Sequence, residues 1–286
     1  MRIESLSVLT TDPSGKAYLQ EQYGKVIEGV MVDTASQRYK NKDLSGSPTA
    51  GTVEARRYVN ATVKEYGTAR AAGKGENIKA DPVTIAIDTN RELLAEVEEK
   101  DISLMGVEGL VEREIAKQKQ ALEIELETKF FEVANTSATE VDVTGITAVN
   151  KIVDKLYLKL HTLKNKYVNG VPLNDIIIFA NPTKYAELRE YLDDKPSSNI
   201  STDEPDIKIF HGAKVESNIY MPDGVDFIVM ADGSIAQPVL TKMADSGKIP
   251  LSDAYSFGMF FYYGTKAVSA DLIFKISTPT TQKAKA

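Results

Sequence analysis

Apolar and polar positions alternate with unusual persistence between Val53 and Tyr66. One side carries Val53, Ala55, Arg57, Val59, Ala61 and Val63; the other carries Glu54, Arg56, Tyr58, Asn60, Thr62, Lys64 and Tyr66. A period of two marks a strand. Fourteen residues at about 3.3 Å each extend roughly 45 Å, whereas a compact globule of 286 residues has a radius of gyration of about 19 Å. After a Gly/Ala-rich stretch, GTARAAGKGEN at 67–77, a second extended run returns to Asp88. The pattern predicts a long hairpin over 52–88. Neither face is strongly apolar, so the arm is expected to reach onto another copy of the chain rather than be buried in its own subunit. Pro82 removes a donor from the return strand, which suits an edge.

The next pattern has the helical period. Val111, Ile115, Leu122, Leu126, Phe130 and Val133 recur at three-, four- or seven-residue spacing, with charged positions between them. They predict an amphipathic helix over about 107–134, roughly 40 Å long. A turn-rich break at 134–145 follows, then a second helix with Val149, Ile152, Val153, Leu156, Leu160 and Leu163 on one face. Ile176-Ile177-Ile178-Phe179 reads as a buried strand, and Asn181-Pro182-Thr183 turns into a helix. Short β runs are expected at 207–210, 214–216, 227–230 and 235–240, and longer strands from Tyr255 to Thr278. Residues 1–16 read as an unsettled tail, 17–40 as a short helix or arm, and 41–51 as a flexible connector. The fold class is α+β.

Composition narrows the chemistry. The chain has no cysteine, which removes disulfides, thiolate nucleophiles and Cys-ligated zinc, and it has only two histidines. Net charge is −7, a poor match for sequence-specific DNA binding. It suits a surface that sits near nucleic acid without adhering to it. The longest apolar run, 176–180, is strand-sized, so no membrane partner is expected. Gly67…Gly73-Lys74-Gly75 fails the phosphate-loop pattern in spacing and in its missing Ser/Thr. No nucleophile elbow accompanies His211, and His161 falls beside an apolar stripe. The acidic cluster Glu96, Glu98, Glu99 and Asp101 lacks the EF-hand pattern. No catalytic, cofactor-binding or metal residue is assigned, and the chain is not read as an enzyme.

The order of elements is itself distinctive: N-terminal arm, projecting hairpin, spine-length helix, α/β block and final strands. The segments GTVEARRYVNATVKEYGTARAAGKG, IAIDTNRELLAEVEEKD, IIIFANPTKYAEL and FHGAKVESNIYMPDGVDFIVMADGSI resemble the major capsid protein of tailed double-stranded DNA phages, with the Hong Kong 97-type capsid fold. The resemblance spans about 17–276 and resides in order and spacing, not in a catalytic signature. It implies an N-terminal arm (1–50), an E-loop hairpin (51–88), a P-domain with the spine helix (89–142), an A-domain (143–249), P-domain return strands (250–278) and a coil tail (279–286). It further implies self-assembly into hexamers and pentamers and an icosahedral virion shell enclosing double-stranded DNA without sequence-specific binding. Assembly would occur in the host bacterial cytoplasm, with a portal protein, a separate scaffolding protein (the body being nearly reached by residue 17) and room for a cement or decoration protein.

Function on this reading is interface chemistry. Arg56, Arg57, Lys64, Arg70, Lys74 and Lys79 make the hairpin basic, and Glu112, Glu123, Glu125 and Glu127 on the spine helix are the candidate receiving face in a neighbour. The ordinary alternative, that these charges are merely solvated, stays open for each residue. Gly51, Gly67, Gly73 and Gly75, with Gly46, are candidate hinges, or simply turn residues. Some members of the family weld an E-loop lysine to a neighbour's P-domain asparagine. Here Asn218 is the last asparagine, so the return strands offer no amide and no such crosslink is expected. Two alternatives remain: an encapsulin-type nanocompartment shell, and a soluble enzyme with an inserted hairpin.

Overall fold

A computed structural model describes residues 5–63, 65, 66, 78–98, 100, 106–193 and 207–277. The chain opens with three helices, α1 (Leu6–Thr11), α2 (Pro13–Asp33) and α3 (Ala35–Tyr39). This corrects the expectation of an unsettled tail over 1–16 and decides between helix and arm over 17–40 in favour of helix. Ser5 caps α1, its side chain accepting from the Val8 amide at 3.3 Å. Pro13 occupies the first turn of α2, where its missing N–H costs nothing. Gly15 permits the sharp approach of the two helices, since a Cβ there would lie 2.2 Å from the Val8 carbonyl oxygen. Leu6, Leu9, Leu19, Tyr23, Val26 and Val30 are buried, and this burial holds the segment in place.

After β1 (Leu44–Ser45), the hairpin strands β2 (Thr52–Tyr58) and β3 (Ala80–Ala86) pair antiparallel, and β1 lies on the other edge of β2. The regular strand therefore ends at Tyr58, about halfway along the predicted one, with one further bond from the Val59 amide to the Lys79 carbonyl. The alternation outlasts the pairing because it costs nothing in an exposed extended segment. The base of the hairpin is also not free of its own subunit. Val53, Ala55 and Ile85 are buried with Ala236 and Val268, which corrects the expectation that the arm finds no burial at home.

Two residues later the chain enters β4 (Thr89–Glu98), and then the spine, α4 (Gly106–Ser137), 32 residues and about 48 Å long. Its buried stripe is the predicted one: Val111, Ile115, Leu122, Leu126 and Phe130. Gln118 interrupts that stripe; its Oε1 accepts from the Tyr23 hydroxyl at 2.8 Å, while its Nε2 is buried without a partner among the described residues. Thereafter come β5 (Thr139–Glu140), α5 (Val149–His161), β6 (Ile176–Ala180), α6 (Pro182–Asp193), β7 (Ile209–Phe210), β8 (Ala213–Ser217), β9 (Val225–Ala231), β10 (Ile235–Ala236), β11 (Val239–Met243), β12 (Gly247–Lys248), β13 (Ala254–Tyr263), β14 (Lys266–Ala267) and β15 (Ile273–Ser277).

Two main sheets share the spine. β13 pairs along its whole length with β4 on one edge and with β11 and β12 on the other. Leu93, Ala95 and Val97 of β4, with Phe257, Met259 and Phe261 of β13, join the first half of α4 and the N-terminal helices in one core. The six-stranded mixed sheet has the order β5-β15-β9-β6-β8-β7. α5 and α6 cover one face through Val153, Leu156, Leu160 and Leu188. The other face, with Ile177, Phe179, Ile228 and Met230, meets Phe130, Phe131 and Ala134 of α4 and Tyr39 of α3. β6 is thus buried on both sides, as its unbroken apolar run requires.

The strand partition departs from the expected boundaries. β15, expected to return beside the spine-side strands, joins the six-stranded sheet, whereas β11 and β12 leave the α/β block to pair with β13. Pairing across sequence distance decides this, and local pattern does not record it.

Two non-glycine residues have left-handed backbone. His211 (φ 49), with Gly212 (φ 91), forms the two-residue β7–β8 turn, where positive φ at both positions matches the strand twist. Leu251 (φ 62) lies between β12 and β13, and a branched side chain there costs about 1–2 kcal/mol.

Candidate inter-subunit surfaces

The hairpin is gripped at its root. The loop after α5, closed by an isolated bridge between Lys164 and Asn169, takes hold of both hairpin strands. The Arg57 guanidinium lies 2.9–3.0 Å from the Asp271 carboxylate oxygens and stacks 3.8 Å from the centre of the Tyr167 ring. Asn165 donates to the same carboxylate at 2.5 Å. The Asn60 amide donates to the Lys166 carbonyl at 2.9 Å, and its side chain to the Asn165 carbonyl at 3.1 Å. On the return strand Asp81 accepts from Lys166 at 2.8 Å and from the Tyr167 hydroxyl. These partners hold the Asp81 carboxyl below its ordinary range, Lys166 first and Tyr167 next.

Arg57 is therefore committed within its own subunit, with a side chain only 14% exposed. This corrects its expected place on a docking face. Arg56 is exposed beside Glu54, and Lys79 is exposed. Lys64, Arg70 and Lys74 lie outside the described residues, as do Gly67, Gly73 and Gly75. Gly51 has φ 79, a left-handed turn leading into β2, and Gly46 has φ 105. Sequence reasoning stressed charge and overlooked apolar side chains. Val63, Tyr66 and Ile78 are 98%, 92% and 89% exposed, and Tyr58 is exposed as well.

The acidic spine residues do not form one free face. Glu112 is exposed. Glu123 lies 3.5 Å from Lys119, which also binds Asp33 at the end of α2. Glu125 accepts from Arg91 of β4 at 2.9 Å and from the Tyr263 hydroxyl of β13 at 2.6 Å. Burial pushes its carboxyl up, but these two bonds outweigh it and the net direction is down. Glu127 is only 2% exposed and accepts from the Ser36 amide at 2.7 Å and from the Asn218 side chain at 2.6 Å. Burial raises its carboxyl despite those bonds. Glu125 and Glu127 are thus internal ties, a correction to their expected receiving role. The helical spacing that placed them could not show which neighbours the fold brings to each side.

Elsewhere, a cleft of about 580 Å³ between α3, α6 and β8 is lined by Arg38, Tyr39, Tyr185, Lys208, Lys214 and Glu216. Arg38 and Tyr39 are both engaged by Glu216. His161 pairs through Nδ1 with the Val171 carbonyl at 2.6 Å, a packed position. His211 stacks on Tyr157 and lies 3.6 Å from Asp154. Among the described residues no group of three His, Asp or Glu side chains is placed to hold a metal ion, and no helix is long and apolar enough to cross a membrane. Of the acidic cluster, Glu99 and Asp101 lie outside the described residues.

Neither a family model nor a curated protein sequence matches this chain. Solved structures do. A chain of Mycobacterium phage Che8 is 18% identical with a TM-score of 0.60, covering 85% of this chain and 90% of that one. The capsid of Ralstonia phage GP4 is 11% identical with a TM-score of 0.61, covering 86% and 88%. The virus-like particle from Pyrococcus furiosus is 11% identical with a TM-score of 0.56, covering 91% and 99%. At such identities the likeness establishes the fold: the chain has the Hong Kong 97-type capsid architecture.

Proposed function

We propose that this chain is a major capsid protein, a shell subunit that assembles with copies of itself into an icosahedral phage head around double-stranded DNA. The observation that carries this reading is the extent of the match to phage structures, 90% of the Che8 chain and 88% of the GP4 capsid chain. The hairpin supports it. Its root is fastened to its own subunit, and its far part presents Tyr58, Val63, Tyr66 and Ile78 to the surroundings. On this reading the hairpin is the E-loop. The spine helix with the β4–β13 sheet is the P-domain, and the six-stranded sheet with α5 and α6 is the A-domain. Grip on a neighbour comes from apolar side chains, with Arg56 and Lys79 setting register. Hexamers and pentamers form in the host cytoplasm on a separate scaffolding protein around a portal, with cement proteins added afterwards. The net charge of −7 keeps the wall from adhering to the packaged DNA.

A second reading is favoured by one observation: the match to the Pyrococcus furiosus virus-like particle covers 99% of that chain. It is a nanocompartment shell enclosing protein cargo. Expression of the chain alone and with its candidate scaffold, followed by negative-stain microscopy, tests both. Closed particles are expected, and DNA rather than protein in particles from infected cells separates a phage head from a compartment. A chain that stays monomeric under both expression conditions refutes the shell reading.

A further inference from the structure

The last strand carries a lysine that the shell function does not use. Lys275 of β15 stands in the six-stranded sheet between Ile228 of β9 and Glu140 of β5. Alternation puts it on the side of Ile273. That is the side covered by the spine helix, where Ile273 and Ile228 share a core with Ala134 of α4. The lysine side chain is only 21% exposed. Its Nζ donates to Asn135 Oδ1, in the last turn of α4, at 2.6 Å and lies 3.6 Å from Glu140 Oε2. The surrounding structure fixes this arrangement. β5 and β15 pair in register, and the Val141 amide donates to the Lys275 carbonyl at 2.9 Å. Glu140 is held by Ser277, whose amide donates to Oε1 at 2.8 Å and whose hydroxyl donates to Oε2 at 3.3 Å. An amine is thus kept against a primary amide, with a carboxylate beside the amine. Those are the groups that amide exchange needs: a nucleophile, an acyl carbon with a leaving nitrogen, and a proton carrier. Holding them in contact supplies what such weak reactants lack in solution.

We propose that Lys275 and Asn135 join in an isopeptide bond inside the subunit, with Glu140 as the proton carrier. The Glu140 carboxylate takes a proton from the Lys275 ammonium. The freed Nζ lone pair attacks Asn135 Cγ, and the Cγ–Nδ2 bond breaks. The departing nitrogen collects the proton held by Glu140 and a second one shed by Nζ, and leaves as ammonium. One ammonium is consumed and one released, so atoms and charge balance and Glu140 is regenerated. Both partners belong to one chain, which distinguishes this bond from a weld between subunits. It closes a loop of 140 residues and fastens the end of the spine to the six-stranded sheet.

Intact-mass spectrometry of the full chain, dispersed in denaturant, tests this. The wild type should be lighter than its sequence by one ammonia, about 17 Da. Protease digestion should give a branched peptide joining the segment around Asn135 to the segment around Lys275. Lys275→Arg and Glu140→Gln should each show the full mass of their own sequence, with circular dichroism unchanged. A wild-type chain that keeps its full mass after prolonged incubation at neutral pH overturns the proposal. So does an ammonia loss that persists in Lys275→Arg, because an asparagine cyclising onto its own backbone sheds ammonia without any lysine. A branched peptide that forms equally well in Glu140→Gln overturns it too. None of these measurements needs assembled particles, so the shell function is tested separately and survives either result.

Discussion

Arg57→Ala should release the root of the hairpin while leaving the rest of the fold intact. One guanidinium nitrogen, Nη2, reaches both Asp271 carboxylate oxygens at 2.9–3.0 Å, and the group lies 3.8 Å from the centre of the Tyr167 ring. A charge-assisted pair of this geometry, with Arg57 14% and Asp271 36% exposed, contributes about 2 kcal/mol once partial solvation is allowed for. Stacking on the ring adds about 1 kcal/mol. The neighbouring Asn60 amide, bonded to the Lys166 carbonyl, reports on the clasp directly. A local loss of about 3 kcal/mol should speed its hydrogen exchange roughly a hundredfold. Mass-resolved exchange on the segment around Asn60 measures this, and amides of α4 serve as the internal reference. Arg57→Lys keeps the charge but loses the planar group stacked on Tyr167, so it should fall between the two. The reasoning fails if Asn60 exchanges within about twofold of wild type, or if α4 and the hairpin root accelerate equally, because the contact would then be either worthless or a global support.

Glu127→Leu should lower the unfolding free energy by about 2 kcal/mol in urea at mildly acidic pH, because the Ser36 amide and Asn218 side chain lose their buried acceptor. Burial raises the Glu127 carboxyl, so the folded state holds that proton more tightly than the unfolded chain does. Its contribution is therefore greatest at low pH and is lost as pH rises from the ordinary carboxylate range through the raised folded value; denaturation series of wild type and Glu127→Leu should show this slope only in wild type. Gly264→Ala places a Cβ 1.7 Å from the Ala86 carbonyl oxygen and should yield insoluble protein. Gly24→Ala, in open space within α2, should raise stability by about 0.5–1 kcal/mol by calorimetry. Tyr58→Ser with Ile78→Ser should leave the melting temperature within about 2 °C and raise the concentration needed for particles, read by light scattering.

What was legible in the sequence depended on the range over which each signal acts. The stripe from Val111 to Phe130 marked α4 because burial on a helix repeats locally, and the run at Ile176 marked a doubly covered strand for the same reason. A helix was one of two readings for 17–40, but α1 and the start of α2 were read as tail although their signals were present. Ser5 before an apolar residue and Pro13 after Asp12 are helix starts, but beside Thr10, Thr11 and Gly15 they read as coil. The hairpin was seen, but its regular length was doubled because alternation continues past Tyr58, where pairing ends. The clasp was out of reach altogether. Arg57 and Asp271 stand 214 positions apart; alternation sets Arg57 on the side of Val53 and Ala55 and Arg56 on the other, but nothing local names the partner of Arg57. The same limit explains why Glu125 and Glu127 looked like a surface.

The outermost strands of the six-stranded sheet, β5 and β7, are two residues each. A container wall crowds many identical molecules at concentrations where open sheet margins would zip together into fibres. Trimming both margins to a pair of residues leaves almost no template for such zipping. On the proposed shell reading, such molecules can be pressed side by side without becoming amyloid, and the choice of neighbour passes to projections and loops.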